Sequence, residues 1–344
     1  MAVNNPPSSS RRDALRRALG GAALLSGATA LLPERFSPIT PARAALGAGP
    51  GPRSGFFWST GASINNYKGF TTYRGRSLDT ITCWCPHNTW TEVVSLKGGF
   101  VTARKSGSRV SCAIAMLPKS HDGKKYPNNW KLAASGSYDG YYTQFAQKLA
   151  ASGQTNTVCR IGWETNGASR PWFCGTDGPA FVATWQRIAG ILRLYNPTIL
   201  TEWCNIKKGG QKANIMNYYP GDDYVDVFGV NYYDGYPPLD TQAVWDKQYY
   251  AEYKGGPWGL GAWAQEARSR GKLFACSEWG INAGRYNCKD NPFYIESMHQ
   301  FFVSNSDIMS YENYFNQKYF HQLTPGDINP LSSAKYKELW GSAI

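Results

Sequence analysis

Apolar and β-branched residues gather in eight short runs along the chain, at 55–61, 79–84, 109–117, 157–163, 199–204, 225–232, 273–277 and 308–311. Runs of this length bounded by Gly, Asn, Asp and Pro read as buried strands. Between them the period changes to that of a helix. In 177–195, Phe181, Trp185, Ile188 and Leu192 fall at i, i+4, i+7 and i+11, with Asp177 placed as N-cap and Asn196-Pro197 as stop. Segments 137–151, 260–270 and 292–303 have the same character, and Gly271 closes one of them. Strand–helix alternation makes a mainly parallel sheet. Eight units of roughly 37 residues suit an α/β (β/α)8 TIM barrel, here a single domain over 54–344, with a doubly wound open sheet as the alternative. No Gly-rich phosphate loop follows the first run, which argues against a dinucleotide fold.

The first 44 residues have a different pattern. Arg11, Arg12, Arg16 and Arg17 precede an apolar Gly/Ala/Ser-rich stretch from Ala18 to Leu32, and Ala42-Arg43-Ala44 supplies the small-x-small site of a signal peptidase. Ser10-Arg11-Arg12-Asp13-Ala14-Leu15 resembles the twin-arginine export motif, so residues 1–44 are expected to be an export signal and 45–53 a linker. The apolar stretch is shorter than the roughly 18 residues of a transmembrane helix, and the expected location is periplasmic or secreted.

Of the 344 residues 42% are hydrophobic and 15% aromatic, enough for a large core. The net charge of +12 falls to +8 when residues 1–44, with six Arg and two acids, are set aside. No basic run of the kind that binds nucleic acid occurs. Lys119, Lys124 and Lys125, and separately Lys207, Lys208 and Lys212, follow the third and fifth runs, where they could steer an anionic polymer toward the strand ends. The eight cysteines lack zinc-site spacing. Most lie in apolar runs, and Cys174 and Cys288, in Gly/Asn-rich segments, are the better bridge partners.

Working groups of such a barrel sit where strands end, and two acids do so. Glu164 closes Cys159-Arg160-Ile161-Gly162-Trp163-Glu164, and Glu278 closes Leu273-Phe274-Ala275-Cys276-Ser277-Glu278. Their spacing of 114 positions is three units, which sets them on the fourth and seventh strands, across the mouth from one another. Facing carboxylates are the equipment of glycoside hydrolysis. Arg160 shares the parity of Glu164 and so is expected to point inward, either pairing with Glu278 or as an ion pair of the barrel wall. Trp163 and Trp172 are expected to desolvate Glu164 and favour its protonated form.

The stretch Arg160-Ile161-Gly162-Trp163-Glu164-Thr165-Asn166-Gly167, then 218–234 with Tyr219-Pro220-Gly221-Asp222 and Gly229-Val230-Asn231-Tyr232-Tyr233, then Glu278-Trp279-Gly280, resembles the family 26 glycoside hydrolases over about residues 54–344. These are retaining clan A enzymes best known as β-mannanases. The resemblance implies that Glu164 is the acid/base, Glu278 the nucleophile, and Tyr232 a hydrogen-bond donor to Glu278. Trp163 stands where the family commonly has His and Asn231 where it often has Asp, which implies a shift in sugar selection. No cofactor or metal is implied.

Trp58, Trp84, Trp90, Trp172, Trp203 and Trp279 fall at or just after strand ends, as sugar-stacking platforms or as core. His87 follows the second strand, Asn166 adjoins Glu164, and Tyr311 ends the eighth strand; all three are candidate substrate contacts. Trp185 and Trp263 lie on helical stripes and belong to the core. The reading is an exported, monomeric, retaining endo-β-glycosidase acting on a polysaccharide, with anionic polymers among the candidates; the alternative is a non-catalytic carbohydrate-binding protein on the same barrel.

Overall fold

The structure is a computed structural model that describes residues 52–121, 124–125, 129–235, 237–317, 320–324 and 328–341. The expected export segment 1–44 and most of the linker lie outside the described residues. Eight parallel strands, β1 (Thr60–Ser63), β2 (Thr80–Trp84), β3 (Arg109–Ile114), β4 (Val158–Ile161), β5 (Leu200–Ile206), β6 (Val227–Tyr233), β7 (Leu273–Gly280) and β8 (Met309–Tyr314), pair in chain order, and β1 closes on β8. Helices α1 (Tyr67–Arg74), α2 (Trp90–Val93), α3 (Gly99–Lys105), α4 (Trp130–Ala134), α5 (Asp139–Ala151), α6 (Gly178–Tyr195), α7 (Gln242–Tyr249), α8 (Leu260–Ser269), α9 (Pro292–Ser304) and α10 (Pro330–Gly341) surround it. This is the (β/α)8 barrel that the alternation predicts. Among the described residues the β5–β6 connection carries only a 3-10 turn, Ile215–Tyr218.

Local chemistry starts and stops the elements. Asp177 caps α6 by accepting from the Ala180 N–H at 3.1 Å, Pro179 occupies the first turn, and Phe181, Trp185, Ile188 and Leu192 are buried against the barrel. Each such side chain contributes roughly 1.5–3 kcal/mol of burial. Outward strand positions complete this layer. Trp203 packs on Phe228 and Trp263, and Trp279 on Phe302, Tyr314 and Trp340. Inward positions form a separate small cluster of Val158, Leu200, Val227, Leu273, Ala275 and Tyr311.

Several strand boundaries differ from the sequence expectation, and two of the shifts move expected site residues. The first strand begins at Thr60, so Trp58 lies before it and packs on Phe56, His299 and Phe302, away from the strand ends. The eighth strand runs on to Tyr314, which leaves Tyr311 in mid-strand inside the barrel, its hydroxyl paired with Ser111 and Glu202. Neither residue can be a substrate platform. Cys174 and Cys288 are buried free thiols, not a bridge; Cys85 and Cys112 lie 3.3 Å apart.

One irregularity decides the site. Along β7, Ala275 pairs with Gly229 and Glu278 with Asn231, so three steps on β7 match two on β6. The extra residue is a β-bulge. Ser277 keeps the inward parity of Leu273 and Ala275, and the bulge turns its neighbour Glu278 inward as well.

Outside the barrel, Glu312 is fully buried and accepts from the indole N–H groups of Trp279 at 2.5 Å and Trp340 at 3.0 Å. Burial pushes its carboxyl from 4.5 up to about 7, against the pull of those donors and of Arg74. Between these values the native state holds a proton that the unfolded chain has released, so stability falls as pH rises from about 4.5 through 7, by about 3 kcal/mol. Urea unfolding of the wild type and Glu312→Gln across pH 4.5–8 should show the wild type losing this much relative to the variant. Parallel pH curves for the two would refute the assignment.

Candidate active site

Two backbone irregularities at the C-terminal end of the barrel present the two acids. Glu278 sits on the β7 bulge. Glu164 follows β4 with φ of 54°, a left-handed conformation rare for a side-chain-bearing residue, two positions after Gly162 at 59°. A Cβ on Gly162 would fall 2.5 Å from the Met116 sulfur, so only glycine allows the chain to turn there.

Arg160 on β4 links the acids. Its Nη2 donates to Glu278 Oε1 at 2.7 Å and to Asn231 Oδ1 at 2.9 Å, and the Asn231 amide donates onward to Glu164 Oε1 at 3.0 Å. Glu278 also accepts from the Trp84 indole at 3.2 Å and, through Oε2, from the Tyr233 hydroxyl at 3.0 Å. Burial, with Glu278 beside it, pushes the Tyr233 phenol well above its ordinary range, which keeps it a donor. Below Arg160, Glu202 lies 3.3 Å from its Nε and accepts from Ser277 and Tyr311. Burial opposes the charge on Arg160, yet Cys204, Glu278 and Glu202 hold its pKa well above the ordinary arginine value. Burial raises the Glu202 carboxyl, and Arg160, Ser277 and Tyr311 oppose that rise. Gly229 makes room for Glu202, whose Oε1 would lie 2.1 Å from a Cβ at that position.

Glu164 is held by a second guanidinium. Arg170 Nε donates to its Oε2 at 2.9 Å, Arg170 Nη2 donates to the same oxygen, and the guanidinium lies over the Trp163 ring at 5.2 Å. The two tryptophans therefore do not enclose this carboxyl as expected. Trp172 is fully buried and donates to the Trp163 carbonyl, while His87 stands edge-on to both rings. Burial and then Lys119 bring the His87 imidazole down to about 4, so it is neutral at ordinary pH.

Of the expected site residues, Glu164, Glu278, Arg160, Asn231 and Trp84 come together, and Trp163 and His87 lie beside them. Trp172 and Trp203 are core, as is Trp90, stacked on Tyr141. Trp279 points outward to Glu312. Tyr232 also faces outward, under Lys207, because it has the opposite parity to Asn231; the residue that reaches Glu278 is Tyr233. Asn166 uses its amide on the N–H and carbonyl of Ile206 as a loop clamp. Lys207 is buried, so of its cluster only Lys208 and Lys212 are exposed, while Lys119 is exposed near His87; the side chains of Lys124 and Lys125 lie outside the described residues. Sequence reading missed Arg170, Glu202 and Tyr233. Parity could have found Tyr233, and an acid inside an otherwise apolar strand could have flagged Glu202. Among the described residues no group of three or more His, Cys, Asp and Glu side chains is placed to hold a metal ion.

No model of a known protein family matches the chain. Solved structures do. An endo-β-1,4-mannanase of Cellulomonas fimi, as a double mutant, superposes with a TM-score of 0.61 at 16% identity, covering 83% of this chain and 70% of that one. A family 26 glycoside hydrolase of Muricauda sp. superposes with 0.61 at 15% identity, covering 84% and 86%. The chain has the fold of the family 26 glycoside hydrolases. A Bacillus subtilis mannanase shares that fold with a TM-score of 0.58 at 14% identity, over 88% of this chain and 95% of its own. In sequence, 123 residues are 30% identical to endoglucanase H of Acetivibrio thermocellus, a stretch that is 33% of this chain and only 13% of that protein.

The buried guanidinium within this family 26 fold yields a direct test. Arg160→Met leaves Glu202 and Glu278 without their cation, and breaking a buried pair of this kind costs about 3–5 kcal/mol. Urea unfolding should register that loss, and Arg160→Met combined with Glu202→Met should recover part of it. A single variant as stable as the wild type would contradict the assignment.

Proposed function

We propose that the protein is a retaining endo-β-glycosidase that cleaves a polysaccharide with Glu164 as acid/base and Glu278 as nucleophile. The observation that carries the reading is the continuous Glu164–Asn231–Arg160–Glu278 hydrogen-bond chain at the strand ends. Arg160, Tyr233 and Trp84 all donate to Glu278, which fixes the carboxyl group in place at the strand ends. In the first step a Glu278 oxygen bonds to the anomeric carbon as the glycosidic C–O bond breaks, and the Glu164 proton passes to the leaving oxygen. In the second, water gives a proton to Glu164, its oxygen bonds to the anomeric carbon, and the Glu278 ester bond breaks. The family 26 fold shared with mannanases and the partial identity to an endoglucanase support the reaction class and make mannan and glucan the first polymers to try. The reading places the enzyme outside the cytoplasm, on the strength of the export pattern at 1–44.

The alternative, a carbohydrate-binding protein, needs exposed aromatic platforms. Trp58, Trp90, Trp172, Trp203 and Trp279 are buried, and Trp163 is only 3% exposed, so most of those platforms are absent.

Reducing-sugar release should be measured on β-mannan, β-glucan, xylan, glucuronoxylan and acidic bacterial exopolysaccharide. Release from at least one is expected, with Glu164→Gln slower by about 10²–10⁴-fold and Glu278→Ala inactive. NMR of the first product should show retention at the anomeric carbon. Inverted product would exclude the double displacement, and release unaffected by either substitution would exclude these glutamates.

A further inference from the structure

Arg170 stands where it works against the acid. A general acid must carry a proton on an oxygen that faces the leaving group, yet here Glu164 Oε2 accepts from both Nε and Nη2 of a guanidinium and Oε1 accepts from the Asn231 amide, so both oxygens are engaged as acceptors. The pair is half-buried, with side-chain exposures of 29% for Arg170 and 16% for Glu164. Withdrawing Arg170 from Glu164 leaves its charge without a counterion in that setting, and a sugar hydroxyl cannot replace one. A second carboxylate can. It would take over both guanidinium bonds and leave Glu164 free to hold a proton.

The surroundings of Arg170 favour an incoming anion. The exposed Lys119 donates its backbone N–H to the His87 carbonyl at 2.8 Å, and His87 stands edge-on to the Trp163 ring over which Arg170 lies, which places two cations on the same edge of the mouth. The acid that also acts on His87 is Glu92, and its carboxylate is already committed to the Asn88 N–H at 2.7 Å. The His87 imidazole is neutral, and its Nε2 is buried without a hydrogen-bond partner. The guanidinium lies over the Trp163 ring at 5.2 Å and presents two N–H groups side by side, the fork that suits a bidentate carboxylate.

We propose that Arg170 is the receptor for a carboxylate carried by the glycan, such as a uronic acid or an acidic acyl or ketal substituent, and that engaging it releases Glu164 for acid catalysis. The proposal rests on Glu164 being the acid/base. Arg170 is then a specificity and positioning residue: it selects for acidic polysaccharide and couples that selection to the competence of the acid. Trp163, where the resemblance commonly has His, supplies the flat surface that holds Arg170 in reach of both carboxylates.

The test compares each of glucuronoxylan, polymannuronate and gellan with its own carboxyl-reduced form, in which uronic acids become neutral hexoses with every linkage kept. For the full chain, kcat/KM on one native polymer is expected to exceed that on its reduced form by at least about tenfold, the worth of a charge-assisted pair. Arg170→Ala should bring this ratio toward one, and Arg170→Lys should retain part of it. Equal rates of the wild type on native and reduced forms would overturn the proposal, as would an Arg170→Ala variant that slows both forms equally, the mark of a structural brace. Turnover confined to neutral glycans and abolished in Glu278→Ala would overturn it while leaving the glycosidase reading intact. If no polymer is cleaved, the glycosidase reading fails, and calorimetry with uronic-acid tetrasaccharides decides the receptor separately: binding lost in Arg170→Ala upholds it, and its absence in the wild type overturns it.

Discussion

The barrel is organised around one buried cation. Arg160 is fully enclosed, and a guanidinium in that position is tolerable only if anions and hydrogen-bond acceptors surround it. Neighbouring strands supply them: Glu202 and Cys204 from β5, Asn231 from β6 and Glu278 from β7. These acceptors bring further conditions. Glu202 needs Gly229 opposite it and the hydroxyls of Ser277 and Tyr311 at its oxygens. Tyr311 in turn reaches Ser111 across the interior. A polar column thus runs from β3 through the barrel axis to the mouth, and its upper end carries the two acids. Loss of the cation would unsettle the column before it disturbed the helices outside.

Much of this was legible in the sequence wherever one period governs. The eight strands, the long helices and the inward direction of Arg160 follow from alternation and from the 3.6-residue stripe. Parity also carries the correction at 232 and 233, since Asn231 and Tyr232 cannot both face the mouth. Pattern alone starts the first strand too early, because Phe56, Phe57 and Trp58 are apolar enough to imitate a strand, while β1 itself, Thr-Gly-Ala-Ser, has almost no apolar signal. Closure of the barrel buries that small-residue strand on both faces; propensity does not. Arg170 was invisible because a loop has no period, and its partner is set by the turn at Gly162.

The tryptophans show why aromatic content is a poor guide to sugar platforms here. Several of the thirteen are fixed by their indole N–H. Trp172 donates to the Trp163 carbonyl, Trp185 to the Ile161 carbonyl, and Trp279 and Trp340 to opposite oxygens of Glu312. These rings fill the layer between barrel and helices, where a large apolar body and a single donor suit a space lined by strand carbonyls. Their proximity to strand ends is a consequence of that layer. The mouth itself depends on charge and hydrogen bonding more than on stacking, and there Trp84 donates to Glu278.

Both candidate catalytic acids stand where the regular pattern breaks. A regular β7 would point Ser277 inward and Glu278 outward, and the bulge lets one strand serve the Glu202 site and the Arg160 site in succession. Beyond β4 the chain leaves extended geometry at Gly162 and takes Glu164 into the left-handed region, which holds the carboxylate between Asn231 and Arg170. Such conformations cost on the order of 1–3 kcal/mol and persist only where the surroundings impose them. Here the Thr165 N–H bonded to the Cys204 carbonyl, the Cys174 N–H bonded to the Thr165 carbonyl and the Asn166 clamp on Ile206 impose one of them. A regular barrel strand offers one inward residue in two; two consecutive inward groups on β7, and an acid set apart from its own strand on β4, are what bring two carboxylates and one guanidinium into the same small volume.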